Sequence, residues 1–253
     1  MSINRRTFLG IAGLSAAAIA GKTTIGALAS GGGKDAGAGQ TTRWAMVIDP
    51  SKCLKEKGCT ACITACDKIH NIPQFDDPKH EVKWIWKEPF QDAFPGQHDE
   101  YMAEQYKDRP VTLLCNHCDK PPCVRVCPTK ATFKREDGIV MMDWHRCIGC
   151  RYCMAACPYG SRSFNWVDPR GHIAHLDPEF PTRTKGVVEK CTFCEERLAK
   201  GEQPACVEAC EEKAMTFGNL DDPGSQVRQL LRARFSIRRK PELGTQPEIY
   251  YLV

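Results

Sequence analysis

The sequence predicts an α+β fold built from two small modules, in which short strands and short helices surround cysteine loops. Two observations support this. Sixteen cysteines among 253 residues fall into four motifs of four, with none left over. Short strand-like runs enter or follow the motifs, at 43–49, 131–134, 138–143 and 214–218. Because a four-thiol unit is repeated four times, the modules are expected to form around the cysteines.

The four cysteine motifs differ at their starts and share a terminal C-x3-C. The third has the spacing C-x2-C-x2-C-x3-C-P, and the second has C-x2-C-x4-C-x3-C-P. The fourth has C-x2-C-x11-C-x3-C, and the first has C-x5-C-x2-C-x3-C. In chain order the cysteines are Cys53, Cys59, Cys62 and Cys66; Cys115, Cys118, Cys123 and Cys127; Cys147, Cys150, Cys153 and Cys157; and Cys191, Cys194, Cys206 and Cys210.

The third motif has the spacing of the bacterial run that binds cuboidal iron–sulfur clusters. Thiolates at i, i+3 and i+6 on a tight loop converge on one face of a cluster, and the fourth points towards a second cluster. Pro158 suits the turn beside the cluster, because its φ is fixed and it has no N–H group to satisfy. Since every motif keeps the terminal C-x3-C, we predict that all sixteen cysteines bind the iron of four [4Fe–4S] clusters, two in each ferredoxin-like module.

The exchange of the fourth cysteine means that the motifs must pair. The second and third motifs both end in C-x3-C-P and are 19 residues apart, so they are predicted to share one module. The first and fourth motifs, each interrupted by an insertion and each lacking the proline, then pair across the chain. The predicted ligand sets are Cys53, Cys59 and Cys62 with Cys210; Cys191, Cys194 and Cys206 with Cys66; Cys115, Cys118 and Cys123 with Cys157; and Cys147, Cys150 and Cys153 with Cys127.

Other uses of paired cysteines fit the pattern less well. A disulfide scaffold seldom repeats C-x2-C, because cysteines this close bridge only under strain. Structural zinc sites use C-x2-C pairs but do not usually add the C-x3-C-P tail. A zinc- or disulfide-stabilised exported binding module therefore stays as an alternative of another class. Covalent c-type haem is excluded, because the sequence contains no C-x-x-C-H.

Residues 1–29 have the features of a twin-arginine export signal. Arg5 and Arg6 precede a weakly apolar run and an A-x-A cleavage site. An uncleaved membrane anchor is the alternative, but Lys22 interrupts the run before about 20 apolar residues accumulate. We therefore expect a periplasmic or other extracytoplasmic protein that is exported after folding, with residues 30–42 as a flexible leader.

The net charge of +4 comes mostly from this signal. Without residues 1–29, 32 basic side chains face 31 acidic ones. If each cluster with its four thiolates adds about −2, the mature protein carries about −7. No net positive field is left to hold phosphates, so the composition argues against nucleic acid as a partner.

The remaining segments show no nucleotide fingerprint, no nucleophile–base pair and no flavin motif. We divide the mature chain into the first motif with a long insertion (43–114), a central two-cluster module (115–190), the fourth motif (191–220) and a C-terminal extension (221–253). The insertion is rich in aromatic residues, which either form a second small core over the clusters or face a partner. The basic segment 226–240 is expected to be a solvated helix, or else a contact for lipid headgroups or an acidic cytochrome.

The chain resembles the four-cluster ferredoxin-like electron-transfer subunits of membrane oxidoreductases over about residues 43–220. The resemblance lies in CNHCDKPPCVRVCPTKATF, GIVMMDWHRCIGCRYCMAACPYG and EKCTFCEERLAKGEQPACVEAC. Within that family, the leader, HNIPQF, KWIWKEPF and PEIYYLV look most like the DsrO branch, the extracytoplasmic iron–sulfur subunits of a membrane complex linked to dissimilatory sulfite reduction. The first motif departs from the family's usual C-x2-C start at Cys53.

The resemblance implies an electron relay with no catalytic site of its own, peripherally attached to a membrane complex. The implied partners are a polytopic quinone-interacting membrane subunit and a multihaem cytochrome c subunit, with no small-molecule substrate. The other interpretation within the family is the electron-transfer subunit of a molybdopterin reductase of the polysulfide or thiosulfate type. Because all four cysteines of the third motif are present, the resemblance favours four cubane clusters over a variant with a three-iron cluster.

Overall fold

Short strands and short helices alternate along the chain in a computed structural model, which describes residues 42–53, 58–97, 101, 106 and 109–253. The predicted signal peptide and nearly all of the leader lie outside the described residues. The strands are β1 (Trp44–Ile48), β2 (Ile85–Pro89), β3 (Pro110–Leu114), β4 (Thr132–Lys134), β5 (Val140–Met142), β6 (Ser163–Phe164), β7 (Val188–Glu189), β8 (Met215–Asn219), β9 (Ser236–Ile237) and β10 (Ile249–Leu252). The α-helices are α1 (Ala61–Ile69), α2 (Phe90–Ala93), α3 (Pro122–Arg125), α4 (Tyr152–Ala156), α5 (Glu195–Leu198), α6 (Ala205–Glu208) and α7 (Gln226–Ala233). The four strand-like runs predicted from the sequence coincide with β1, β4, β5 and β8, which confirms the mixed α and β character of the fold.

β1 is an inner strand of the largest sheet among the described residues, which has the order β8-β1-β10-β9. It pairs antiparallel with β8, so that Met46 lies opposite Phe217, and parallel with β10, so that Met46 lies opposite Ile249. Side chains alternate between the two faces of a strand. Met46 and Ile48 therefore enter the main core, while Ala45 and Val47 pack under α7. The strand before the first motif thus lies between the strand after the fourth motif and the C-terminal strand.

Three two-stranded sheets surround the second and third motifs. β2 pairs with β3, β4 with β5, and β6 with β7, all antiparallel. β3 ends at Leu114, directly before the first cysteine of the second motif. β4 and β5 lie between the second and third motifs, so a tight hairpin brings those two motifs together.

α7 forms the first half of the basic segment 226–240, which was expected to be a solvated helix. The Ser225 side chain caps its start, because the Oγ accepts a hydrogen bond from the backbone N–H of Arg228 at 3.2 Å. Val227 is fully buried against the main sheet, with Leu230 packed beside it. The expected helix is therefore confirmed only over Gln226–Ala233, because the segment continues into β9 (Ser236–Ile237), and a contact with lipid or cytochrome stays a prediction. None of the described helices combines the length and apolarity that crossing a bilayer requires.

The described residues of the aromatic insertion, 67–114, pack into the main core and do not form a second one. Trp84 and Phe94 are buried, and the Phe94 ring meets Tyr251 of β10 edge to face, with centroids 5.0 Å apart. The expectation of a separate core was wrong, because β2 and β3 contribute buried side chains to the same cluster as β1. Tyr101, by contrast, is exposed.

A buried ion pair joins the insertion to the cysteine-rich part of the chain. The side chains of Arg183 and Glu189 are fully buried, and Arg183 Nη2 lies 2.7 Å from Glu189 Oε2. Trp84 Nε1 donates a hydrogen bond to the same oxygen at 3.0 Å. Arg183 also donates to the backbone carbonyl oxygens of His70 and Asn71. The network therefore holds the end of α1, the insertion and β7 in one arrangement.

Replacing Glu189 with Gln should destabilise the fold strongly, because the buried Arg183 guanidinium loses its countercharge. Removing one partner of a buried pair costs about 3–5 kcal/mol. We expect the thermal unfolding midpoint of the anaerobically purified protein to fall by about 10 °C. The control is Asp168→Asn, which breaks an exposed pair with Arg170 and should leave the midpoint unchanged. Equal effects of the two substitutions would contradict a structural role for the buried pair.

Candidate metal centres

The sixteen cysteines lie in four sets of four, and each set combines cysteines from two motifs. All sixteen lie in the described part of the chain, and none forms a disulfide. Three of the sets line a cavity each, and the fourth is a set of buried thiols whose charges interact. We name them site A (Cys53, Cys59, Cys62, Cys210), site B (Cys66, Cys191, Cys194, Cys206), site C (Cys115, Cys118, Cys123, Cys157) and site D (Cys127, Cys147, Cys150, Cys153). The structure thus brings together the same sets that the motif pairing predicts, and their role as cluster ligands stays a prediction.

Short helices position the cysteines of the terminal C-x3-C segments. Cys62 and Cys66 lie one turn apart on α1, and Cys206 lies on α6, which packs against α1. In the same way, α3 of the second motif packs against α4 of the third. Residues four apart share one face of a helix, one above the other. A single turn of α1 therefore carries one thiol of site A and one of site B.

Site A combines the first motif with the last cysteine of the fourth. Its four thiols and Lys87 line a cavity of about 170 Å³. The Lys87 ammonium donates a hydrogen bond to the backbone carbonyl oxygen of Cys59, and Cys53 Sγ lies 3.3 Å from Thr112 Oγ1. Burial raises the pKa of the Cys62 thiol to about 11, and the positive charge of Lys87 opposes that rise. Cys53, where the motif departs from the family spacing, thus faces the same cavity as the other three cysteines.

Site B is the most deeply buried of the four, since each of its thiols is almost inaccessible to solvent. Cys191 Sγ accepts a hydrogen bond from the backbone N–H of Phe193 at 3.4 Å. Phe193 has a left-handed backbone conformation with φ of 59°, which tightens the loop. His70 closes the site, because its Nδ1 lies 3.4 Å from Cys66 Sγ and its Nε2 lies 3.0 Å from Glu196 Oε1. Burial raises the pKa of the Cys191 thiol to about 12.

Site C is lined by its four thiols together with Tyr159 and Arg162. Burial raises the pKa of the Cys118 thiol to about 12, and the neighbouring thiols add to that rise. His117 stacks on Phe193 of the site B loop, with ring centroids 3.7 Å apart. These two rings form a direct contact between sites B and C.

Site D has the most exposed thiol, that of Cys150. Gly149 has φ of +70°, and a Cβ atom there would lie 2.4 Å from the carbonyl oxygen of Gly186, so only glycine fits the loop. Cys127 Sγ accepts a hydrogen bond from the backbone N–H of Thr132 at 3.5 Å. Burial by itself would raise the pKa of the Cys127 thiol, but hydrogen bonds, first that of Thr132, lower it. The loop geometry of the third motif is therefore specified by backbone constraints as well as by its cysteines.

The four sites adjoin one another in the order A, B, C, D. The thiol pairs whose charges act on each other across neighbouring sites are Cys62 with Cys206 (A and B), Cys115 with Cys191 (B and C) and Cys123 with Cys153 (C and D). Such interactions weaken with distance. Sites A and B are also joined by the shared turn of α1, so the row is continuous from A to D.

The donor chemistry of the sites fits iron–sulfur clusters. Thiolates are the ligands that such clusters take, and each site offers four. Two buried cations, Arg162 and Lys190, lie beside the thiols, and neither pairs with a carboxylate within the described residues. Lys190 Nζ donates instead to the carbonyl oxygens of Val140 and Cys191. A buried cation without a carboxylate needs another negative group nearby, and cluster thiolates would supply it.

Arg162 and His70 are among the side chains that the structure places at the sites and that the sequence did not predict. Arg162 follows the third motif, and a lone arginine is usually solvated, so nothing in its position marked it. His70 lies four residues after Cys66, a spacing that puts both on one face of a helix. That spacing is the one signal that could have identified His70.

A Cys66→Ser variant should lose the cluster of site B and keep that of site A. Cys66 lies among the thiols of site B, although Cys62 of the same helix faces site A. We expect a loss of about four of about sixteen irons per chain, and of one component in the electron paramagnetic resonance (EPR) spectrum of the reduced protein. The matched control, Cys62→Ser, should remove a different component. Loss of the same component from both variants would contradict the pairing.

Comparison with known proteins agrees with these centres. The family model described as a 4Fe-4S dicluster domain matches residues 110–172 and 176–220. The chain is 44% identical over 229 residues to iron–sulfur subunit 1 of an Hdr-like menaquinol oxidoreductase from Archaeoglobus fulgidus, covering 83% of this chain and 82% of that protein. It is 39% identical over 236 residues to the iron–sulfur cluster-binding subunit of a menaquinone reductase from Nitratidesulfovibrio vulgaris, covering 83% and 88%. It is also 39% identical over 217 residues to the B subunit of a tetrathionate reductase from Salmonella typhimurium, covering 83% and 72%.

These relatives share most of their length with the chain, and the family model covers the second, third and fourth motifs. Their names describe iron–sulfur or B subunits, each one part of an oxidoreductase with further subunits. The matched segments contain twelve of the sixteen cysteines. The chain therefore belongs to the family of [4Fe–4S] electron-transfer subunits of membrane-associated oxidoreductases, which have no catalytic site of their own.

Proposed function

We propose that the chain relays single electrons between a quinone-interacting membrane subunit and a multihaem cytochrome c subunit through four [4Fe–4S] clusters. The observation that carries this proposal is the continuous row of sites A, B, C and D. When bound, each cluster takes up and releases one electron at a time. Two of the relatives have menaquinol or menaquinone in their names, which supports a quinone-linked partner.

The chain's own residues keep the four sites adjacent and polarise their sulfur atoms. Backbone N–H groups donate hydrogen bonds to Cys210 Sγ from Ala214 at 3.2 Å, and to Cys127 Sγ from Thr132 at 3.5 Å. Such hydrogen bonds stabilise negative charge on sulfur and are one means by which a protein sets a cluster's potential. Cys127 and Cys210 are both last cysteines of their motifs, so the same backbone device recurs in the two modules.

We further propose that the complex serves dissimilatory sulfur metabolism and that the chain is of the DsrO type. The support is the likeness of HNIPQF, KWIWKEPF and PEIYYLV to that branch. HNIPQF begins with His70 and Asn71, which receive the hydrogen bonds of Arg183 and adjoin site B. The sequence likeness in this segment therefore involves residues that pack beside site B.

A second candidate is the electron-transfer subunit of a molybdopterin reductase acting on polysulfide, thiosulfate or a similar sulfur compound. It is favoured by the tetrathionate reductase relative, whose 39% identity equals that of the menaquinone reductase relative. The two candidates differ in the partner at one end of the row. Mass spectrometry of the purified complex decides between them, since a multihaem cytochrome supports the first and a molybdopterin subunit the second.

Gentle detergent extraction should co-purify the chain with a polytopic membrane subunit. The described residues offer no membrane-spanning helix of their own, so attachment is expected to depend on that partner. Affinity purification from solubilised membranes, followed by size-exclusion chromatography and mass spectrometry, measures the association. The control is an unrelated exported protein with the same tag. Recovery of the chain as a free monomer would contradict the proposed role.

We also propose that the protein is exported folded by the twin-arginine route. The support is the Arg5-Arg6 pair, the A-x-A site and a cofactor that must be inserted before export. Replacing both arginines with lysine should leave the full-length precursor in the cytoplasm, measured by cell fractionation and immunoblotting. Lys22→Gln, outside the pair, should be exported normally. Normal processing of the double variant would rule out this route.

A further inference from the structure

Arg162 lies in the wall between sites C and D. Its side chain is 5% exposed and lines the cavity of site C with the four thiols of that site. Its Nη1 donates a hydrogen bond to Thr132 Oγ1 at 3.1 Å and lies 3.8 Å from Met142 Sδ. Met142 in turn lines the cavity of site D. One guanidinium therefore reaches both sites of the central module.

No carboxylate neutralises this guanidinium. Among the described residues, Arg162 takes part in no ion pair, and its Nη2 atom has no hydrogen-bond partner although it is inaccessible to solvent. The other deeply buried arginine described above, Arg183, is paired with Glu189. A buried charge without a partner is strongly unfavourable, so a negative group must be present beside Arg162 in the working protein.

The nearest candidates for that negative group are the thiols of both sites. Arg162 lines the cavity of site C together with Cys123. Met142, which Arg162 contacts, lines the cavity of site D together with Cys153. The guanidinium therefore lies close enough to sulfur atoms of both sites for its charge to act on them through a buried wall.

We propose that Arg162 is the shared counter-ion of sites C and D and raises the reduction potentials of the clusters bound at both. The inference rests on the proposed function, since it requires clusters at these sites. Each reduction adds one electron, and hence one negative charge, to a cluster. A fixed positive charge in a buried, low-dielectric wall stabilises the reduced form more than the oxidised form. Through its charge, Arg162 thus makes the clusters of the central module easier to reduce.

The charge of Lys190 acts differently. Its ammonium donates hydrogen bonds to the carbonyl oxygen of Cys191 in site B and to that of Val140, which lines site C, so it lies between those two sites. Arg162 has a guanidinium nitrogen that no protein oxygen occupies. Removal of Arg162 should therefore change sites C and D together and leave sites A and B unchanged.

The test is potentiometric titration of the purified complex, followed by EPR, with Arg162→Gln, Arg162→Lys and a control. The Gln variant removes the charge and should lower the reduced-to-oxidised ratio of two clusters about tenfold at a fixed ambient potential. This change corresponds to a decrease of about 59 mV in the reduction potential of each one-electron couple. The Lys variant keeps the charge and should restore most of the wild-type potentials. The control, Arg125→Gln, removes a solvent-exposed arginine of α3 and should shift no cluster, because water screens its charge.

The iron content of the wild-type protein distinguishes a failure of the proposed function from a failure of the counter-ion role. A wild type without iron would refute the proposed function. Full iron content with unchanged potentials in Arg162→Gln would overturn only the counter-ion role. If Arg162→Gln fails to take up iron, then full loading of Arg162→Lys supports the counter-ion. Equal loss of iron in both variants would show that shape, and not charge, is what the site requires.

Discussion

The exchange of the last cysteine of each motif is the constraint on which the rest of the structure depends. The last two cysteines of a motif are only four residues apart, yet they lie at different sites, so every motif needs a second motif to complete its site. For Cys66 the partners begin at Cys191, more than a hundred residues later. The packing of α1 on α6 and the position of β1 between β8 and β10 meet this requirement, because they bring the two ends of the cysteine-rich region together. We therefore expect metal binding and folding to be coupled in the module of sites A and B.

Burial and charge act against each other throughout the row. Removing sulfur from water disfavours the thiolate, as the raised pKa of Cys62, Cys118 and Cys191 shows. Backbone N–H donors offset part of this cost, and so do cations inside the protein, Lys87 at site A and Arg162 between sites C and D. Within the described part of the chain, Arg162 and Lys190, which lie beside the inner sites, pair with no carboxylate. A sequence of near-neutral composition can thus hold a strongly negative cofactor set, because its positive charges are placed beside the sulfur atoms.

Local spacing was enough to predict four of the ten described strands and the grouping of the cysteines into motifs, since these depend on residues close in sequence. Pairing of the first and fourth motifs followed from counting motifs, because the second and third were already adjacent. The order of the sites, the parallel pairing of β1 with β10 and the merging of the aromatic insertion into the main core were not predictable. They depend on which surfaces meet in three dimensions. Arg162 was missed for the same reason, as a single buried charge has no periodicity to detect.

The solvent exposure of the thiols differs between the centre of the row and its ends. This difference indicates where electron-transfer partners can approach. Site B is closed to solvent by His70 and by the Arg183–Glu189 network behind it, whereas site D has the exposed thiol of Cys150. A buried centre keeps water and adventitious reactants from the sulfur atoms, while an electron can enter or leave only where a partner approaches closely. Site A, with partly exposed Cys53, and site D are therefore the ends at which partners are expected to dock. The core around site B, where the Arg183–Glu189 network joins α1, the insertion and β7, lies between those two ends and keeps the four thiols of site B almost inaccessible to solvent.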